Sequence, residues 1–574
     1  MENIHIGIVG GGPGGLISLY ECSLRNIKAT LYEKESDFGG VWNFNSKLKR
    51  AHKSTVFDTS SITSSFNVDF TLFHFLKGKY PGQEIDFALS EDFYEYQHAF
   101  VERYQLSQMI VYNTEIVEIL SGENELEFIL KARDVLTKKD KEFVHDYVVI
   151  STGLYSNPIT PDHPFLSNQL TMNVDNVWHT SHWDPLNFDS VTWDVMSREN
   201  VRILVVGSGQ SAGEAICDAL VRIKNKNYQQ NIEIFWAPTR QPDKRSVWLI
   251  DRYPYGKSKI PIAIDAMFCR LFMYIPDWLA VRQWKKICKE VSLNERNAVP
   301  EIKRDRLCVC ETEIIEIAIR NEIIKVLRDP ILTIYKTESN QLMFDTKGLN
   351  SIPIDAAVIG SGYSYNELKI NGEFIFNDTK LYKDIIPVNE SCHGRIGVVG
   401  ATKKIGSSFP VCQMEIWWLL YQWFTNSENL ARKLTILRQT KSEKPTEYKR
   451  ITGMILDDLA IDMHLTPNIW RNLASPQTRQ RHLGISYLIG PWSIFQYAKP
   501  NETETERIAR EDFAILATEK TFEKNGKDFK FISSLTDILY YFSMCSMASG
   551  FYFLGFPLLS RIGDILDFYC NGLL

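Results

Sequence analysis

Two apolar stretches, residues 4–9 and 201–206, each run into a glycine-rich turn, at 10–15 and 207–213, and helical apolar spacing follows each turn. Strand, glycine turn and helix in that order, twice in one chain, predict an α/β fold with two Rossmann-like dinucleotide-binding units. A third observation is the acid Glu33, which ends the strand after the first turn, where no acid ends the strand after the second.

In the first turn Gly10 permits the tight bend, Gly12 lets the backbone approach a pyrophosphate, and Gly14 and Gly15 open a helix that packs close to its strand. The helix start then offers unpaired N–H groups to phosphates. Glu33 lies about twenty residues on, placed to accept hydrogen bonds from an adenosine ribose. It favours a cofactor with a free 2′-hydroxyl, such as FAD.

The second turn offers Gly207, Gly209, Gln210, Ser211 and Ala212 to a second nucleotide. The strand after it, 231–236, runs into Arg240. A guanidinium presents paired donors to a phosphate dianion, so Arg240 suits a 2′-phosphate and makes the second nucleotide NADPH rather than NADH. Lys244 and Arg245 would serve the same end, and Ser211 also fits the role of a helix cap.

The 574 residues are 44% hydrophobic and 12% aromatic, enough for several cores. A net charge of −6 argues against nucleic acid as a partner. The ten cysteines are scattered and form no metal-ligand quartet, so no metal is expected; Cys308 and Cys310 read as one strand. No Cys-x-x-Cys or Cys-x4-Cys adjoins either turn, which disfavours a flavin disulfide reductase. The first strand begins almost at Met1, so no secretory leader is expected and the chain starts in the cytosol.

Strands 146–150 and 355–359 each end in small residues, at 151–153 and 360–362, the composition needed where backbone passes close to a cofactor or another domain. They suggest nesting. A flavin unit (1–160) is interrupted by an NADPH unit (161–340) that carries an apolar insert at 260–279, and resumes over 341–440. A C-terminal helical, hydrophobic extension (441–574) follows. Within it residues 538–559 carry no charge, which fits membrane attachment or a buried terminal helix. The insert at 260–279 fits a surface-binding face, a substrate entrance or a helix packed on the core.

The segments 33–42, 52–66, 87–96, 239–248 and 406–415 resemble the flavin-containing monooxygenases, as do 457–460 and 490–497 near the end. The likeness runs through most of the chain and extends to the animal-type enzymes with a membrane-associated tail. It implies that Gly40, Val41, Trp42, Phe57, Asp58 and Gln413 contact FAD, Trp42 also fitting a core aromatic and Gln413 a helix surface. It further implies that NADPH reduces the flavin, that molecular oxygen adds to give a C4a-hydroperoxyflavin, and that a small apolar amine or sulfide takes one oxygen atom. The expected location is the cytoplasmic face of a membrane, the endoplasmic reticulum in a eukaryote, and otherwise the cytoplasm.

Two departures stand out. The family's linker fingerprint keeps only its histidine and aromatic, as His179 and Trp183, and His179 reads as a linker residue. Asp58 falls where the family places an asparagine at the reaction centre, unless the alignment slips to Thr59. A carboxylate only accepts hydrogen bonds unless protonated. That substitution keeps open ketone (Baeyer–Villiger) oxygenation, an uncoupled NADPH oxidase, and a flavoprotein that oxygenates nothing.

Overall fold

The computed structural model describes residues 4–43, 90–122, 127–155, 157–159, 170–172, 174–183, 191–196, 198–207, 209–225, 231–237, 247–249, 307–309, 315, 318–319, 321–327, 329–364, 368–374, 380–402, 404–405, 408–439, 450–489 and 494–522. His5–Val9 (β1) leads through the first glycine turn into the helix Pro13–Leu24 (α1), which begins on a proline where no N–H is needed. Lys28–Tyr32 (β2) and Tyr147–Ile150 (β3) pair with β1 in parallel, one on each side. Ile110–Val111 and Ile396–Val398 complete a five-stranded sheet in the order 396–398, β3, β1, β2, 110–111.

A parallel sheet needs both faces covered. On one face Ile6, Ile8, Leu31 and Val149 pack with α1 and the helix Phe409–Phe424. On the other, Val9, Tyr32, Val148 and Ile150 pack with Ile119, Phe128 and Leu130 of an antiparallel sheet built on Thr114–Ser121, Phe128–Asp134 and Asp140–His145.

The second unit repeats these layers. Asn200–Val206 (β4), the helix Gln210–Asn225 (α2), Asn231–Ala237 (β5) and Ala356–Ile359 (β6) belong to a parallel sheet in the order 324–326, β5, β4, β6, 177–179. Val201, Ile203 and Val205 face Ala215, Ile216 and Ala219 of α2. Leu204, Val206 and Phe235 face an antiparallel meander, Ile331–Lys336, Leu342–Thr346 and Ile352–Ile354.

The expected return to the flavin unit at residue 341 comes too early. β6 pairs with β4, with Ile203 opposite Ala356, so the second unit runs on to residue 359. The reason is packing: Ala356, Ala357, Val358 and Ile359 are all fully buried, as a strand covered on both faces requires. The chain rejoins the first unit only with Lys369–Ile370, beside Thr114–Ser121, and Ile396–Val398.

The two units touch where their post-strand segments cross. Asn157–Pro158 pairs antiparallel with Tyr363–Ser364. The Ile159 N–H donates to the Gly362 carbonyl (3.0 Å), and the Ser361 hydroxyl donates to the Ile159 carbonyl (2.6 Å).

After the 409–424 helix the described chain is mostly helical: Ser427–Gln439, Thr452–Asp462, Thr478–Ile489 and Glu504–Phe522. The buried Asp457 carboxylate accepts from the hydroxyls of Tyr487 (2.6 Å) and Tyr497 (2.5 Å), tying the 452–462 helix to the 478–489 helix and to the bend at Tyr497. Cys308 lies in Leu307–Val309, a strand paired with Val247–Leu249. Among the described residues no helix is long and apolar enough to cross a membrane. Segments 260–279 and 538–559 lie outside the described residues.

Candidate functional site

A groove opens at the C-terminal ends of β1 and β3, where a doubly wound sheet binds its ligand. Residues 9–14, 32–35, 37, 40–43 and 151–155 line it, with Val399, Gly400, Phe409 and Cys412. Gly10 has a φ of 101°, and a Cβ there would stand 2.6 Å from the Ser151 carbonyl oxygen. Its N–H donates to the Tyr32 carbonyl (2.9 Å), while the Ser151 N–H donates to the Val9 carbonyl (2.8 Å). The turn is thus pinned to both neighbouring strands.

Gly12 and Gly40 touch: a Cβ on Gly40 would lie 2.9 Å from the Gly12 Cα. Gly14 packs against the Ser151 hydroxyl, and Gly15 lies directly over the Gly10 carbonyl, so those two set helix-to-strand spacing. Val41 and Trp42 line the groove, and Trp42 also stacks on Phe93 at 4.4 Å, so its ring sits between groove and core.

Glu33 is only 7% exposed. Its carboxylate accepts from the Gly11 N–H (2.5 Å) and the Glu35 N–H (2.9 Å). Burial outweighs these bonds and pushes the carboxyl above the usual range. Two hydrogen bonds leave lone pairs free for ribose hydroxyls.

Asp37, a groove residue that sequence reasoning missed, accepts from the Tyr94 hydroxyl (2.6 Å) and lies 3.2 Å from His98 Nε2. Burial pulls its carboxyl up, but the bonds from His98 and Tyr94 prevail and hold it below its ordinary value. No sequence pattern marks this contact, because Tyr94 and His98 arrive from the distant helix Ser90–Arg103.

Gln413 is a correction. Its side chain is fully buried in the seam between the 409–424 helix and α1, donating to Glu21 Oε1 (3.1 Å), while the other oxygen of that carboxylate, Oε2, pairs with Arg25. Phe409 and Cys412 of that helix face the groove instead, because Gln413 is one residue, about 100°, further round the helix.

The second turn reproduces the first. Gly207 has a φ of 129°, and a Cβ there would stand 2.7 Å from the Gly360 carbonyl oxygen. Its N–H donates to the Ala237 carbonyl (2.8 Å), and the Gly360 N–H to the Val206 carbonyl (2.7 Å). Gly209 has nothing within 4 Å of its Cβ position, Gln210 begins α2, Ser211 is half-buried, and Ala212 is buried against Gly360.

His179 is buried beside the crossing. Its Nδ1 accepts from the Ser181 N–H (3.1 Å), which leaves Nε2 to donate to the Gly362 carbonyl (3.0 Å). Burial lowers its pKa to about 4, so the ring is neutral and acts as a linker. Phe57, Asp58, Thr59, Arg240, Lys244 and Arg245 lie outside the described residues.

An open glycine turn at a helix start with a buried acid beside it fits FAD, and a second open turn with no acid at the end of its following strand fits a 2′-phosphorylated nucleotide. The model for flavin-binding monooxygenase-like proteins matches residues 3–499. The chain belongs to this FMO-like family. The FMO-like chain is 22% identical to flavin-containing monooxygenase 1 of Rattus norvegicus, over 94% of this chain and 99% of the relative. It is 23% identical to flavin-containing monooxygenase 3 of Macaca mulatta, over 86% and 88% respectively.

Among solved structures, an oxidized steroid monooxygenase bound to NADP aligns with a TM-score of 0.53 at 12% identity, over 80% of this chain and 97% of that one. A cyclohexanone monooxygenase mutant from Rhodococcus sp. Phi1 bound to NADP+ aligns at 0.50 with 14% identity and the same coverage. These structures share the α/β fold with parallel sheets. The FMO-like protein is an NADPH-dependent flavin monooxygenase, with FAD and NADPH as its cofactors.

Proposed function

We propose that this monooxygenase transfers one oxygen atom to a soft nucleophile, the nitrogen of an amine or the sulfur of a thioether, on a small apolar molecule. When bound, FAD supplies the oxygen-activating redox centre and NADPH the hydride that reduces it. The observation that carries this reading is the pair of equivalent glycine turns, Gly10 and Gly207, with the buried acid Glu33 after the first alone.

In this reading Gly10, Gly12, Gly14, Gly15, Glu33, Gly40, Val41 and Trp42 hold FAD, joined by Phe57 and Asp58. Gly207, Gly209, Gln210, Ser211, Ala212 and Arg240 hold NADPH, with Arg240 on the 2′-phosphate. The chain's own work is to orient both cofactors and exclude water from the reacting atoms. Asp58 stands at the reaction centre. The nested division into flavin and NADPH units belongs to the same proposal, with the second unit carried on to residue 359, as does attachment of 538–559 to the cytoplasmic face of a membrane. The uncharged apolar sequence of that segment supports the attachment.

The test is product analysis with NADPH, air and, in turn, a thioether, a tertiary amine and a ketone. Sulfoxide or N-oxide matching the NADPH consumed supports the proposal. Ester alone, or hydrogen peroxide equal to NADPH whatever is added, overturns it.

A further inference from the structure

Glu415 is almost fully buried two turns into the 409–424 helix. Helical side chains lean toward the N-terminus, and this carboxylate reaches back to accept from the Gly400 N–H (2.7 Å) and the Thr402 hydroxyl (2.6 Å). Both donors belong to the segment that follows strand Ile396–Val398. The same segment is gripped from the opposite side: the Val399 N–H donates to the Ile150 carbonyl (2.8 Å), and the Ser151 hydroxyl donates to the Val399 carbonyl (3.1 Å). Gly400 has a φ of 82°, and a Cβ there would press on the Cys412 sulfur at 3.1 Å. Val399, Gly400 and Cys412 all line the groove.

Sheet order decides which part of a dinucleotide meets this segment. Glu33 marks the β2 side of β1 as the adenosine side, and a dinucleotide straddles the end of the first strand. The other half of FAD, which carries the ring system, would then lie over β3 and strand Ile396–Val398, where Val399 and Gly400 line the groove.

We propose that Glu415 is a positioning residue for the ring-bearing half of FAD, holding segment 399–402 at the shape against which that half packs. The inference rests on the flavin reading above. Glu415 acts through Gly400 and Thr402 and is not itself a groove residue.

The test uses the full chain with FAD and three variants. Glu415→Leu removes both bonds, Thr402→Val removes one, and Glu415→Gln keeps both, since the amide oxygen accepts from Gly400 and its N–H donates to the Thr402 oxygen. The readouts are visible circular dichroism of the bound flavin, the FAD dissociation constant from flavin fluorescence, and thermal unfolding. Glu415→Leu is expected to change the flavin dichroism and weaken FAD about tenfold, Thr402→Val to do the same to a smaller extent, and Glu415→Gln to restore wild-type values.

A Glu415→Leu protein that melts lower yet binds FAD with unaltered dichroism and affinity overturns the proposal, since the residue is then only structural. Should that variant fail to fold, unaltered dichroism and affinity in Thr402→Val overturn it. A wild-type chain that takes up no FAD sinks the flavin reading itself and this inference with it.

Discussion

Gly10 and Gly207 are structural equivalents. Each has a left-handed φ, and each backs onto the first carbonyl beyond the neighbouring parallel strand, Ser151 in one unit and Gly360 in the other, at 2.6 and 2.7 Å from its Cβ position. The obstacle in both cases is backbone, which cannot swing aside. Alanine at either site carries a strain of about 1–3 kcal/mol, and the two lesions are separable because the units have separate cores. Gly207→Ala is expected to abolish NADP+ binding in equilibrium dialysis while the protein stays yellow. Gly10→Ala is expected to lose flavin; equal loss of both cofactors in each variant contradicts the equivalence.

Glu33 sets function against stability. Its carboxyl titrates above its unfolded value because it is buried. The folded chain therefore binds more protons between the two values, and ionisation at neutral pH withdraws stability rather than adding it. Glu33→Gln removes that cost while taking from the ribose a charged acceptor worth about 1.5–3 kcal/mol. The flavin-free variant is expected to melt higher than wild type at pH 7 and to bind FAD at least about tenfold more weakly. A lower melting temperature without flavin would show that the Gly11 and Glu35 bonds outweigh desolvation.

Both glycine turns were legible because they are local: Gly10, Gly15 and Gly207 are read from a strand and a helix start within a dozen residues of each other. Strand 146–150 was equally plain, and Ser151 proved to be the close-approach point its small size suggested. The extent of the second unit was not legible, because Ala356 and its neighbours would suit either parallel sheet, and only the register with Ile203 assigns them. Asp37 and Glu415 escaped notice for a related reason. Their partners are distant in sequence or reached by backbone N–H groups, which leave no trace in side-chain type.

Gln413 shows how one helical step misleads. Its neighbour Cys412 lines the groove, whereas Gln413 donates to the fully buried Glu21 across the helix seam. Gln413→Leu leaves Glu21 with one fewer donor in a dry interface, at a cost of about 1–3 kcal/mol. Lower thermal stability with unchanged FAD affinity and flavin spectrum is expected. A shifted flavin spectrum at unchanged stability would return Gln413 to the groove.

His145 provides a pH-dependent term in the first unit. It is 2% exposed, its Nε2 lies 2.9 Å from the Tyr32 hydroxyl, and its ring packs edge-on against His5 at 4.2 Å. Burial first, then the charges of His5 and Lys28, bring its pKa from 6.5 down to about 3. Between those values the unfolded chain takes up a proton that the folded chain refuses, so stability falls as pH drops through the window, by at most about 1.4 kcal/mol per pH unit. His145→Gln keeps an acceptor for Tyr32 and cannot titrate. Thermal unfolding from pH 7 to 4 is expected to show the variant less stable at pH 7, with its deficit shrinking as the solution is acidified. Parallel curves for the two proteins would place the acid sensitivity elsewhere.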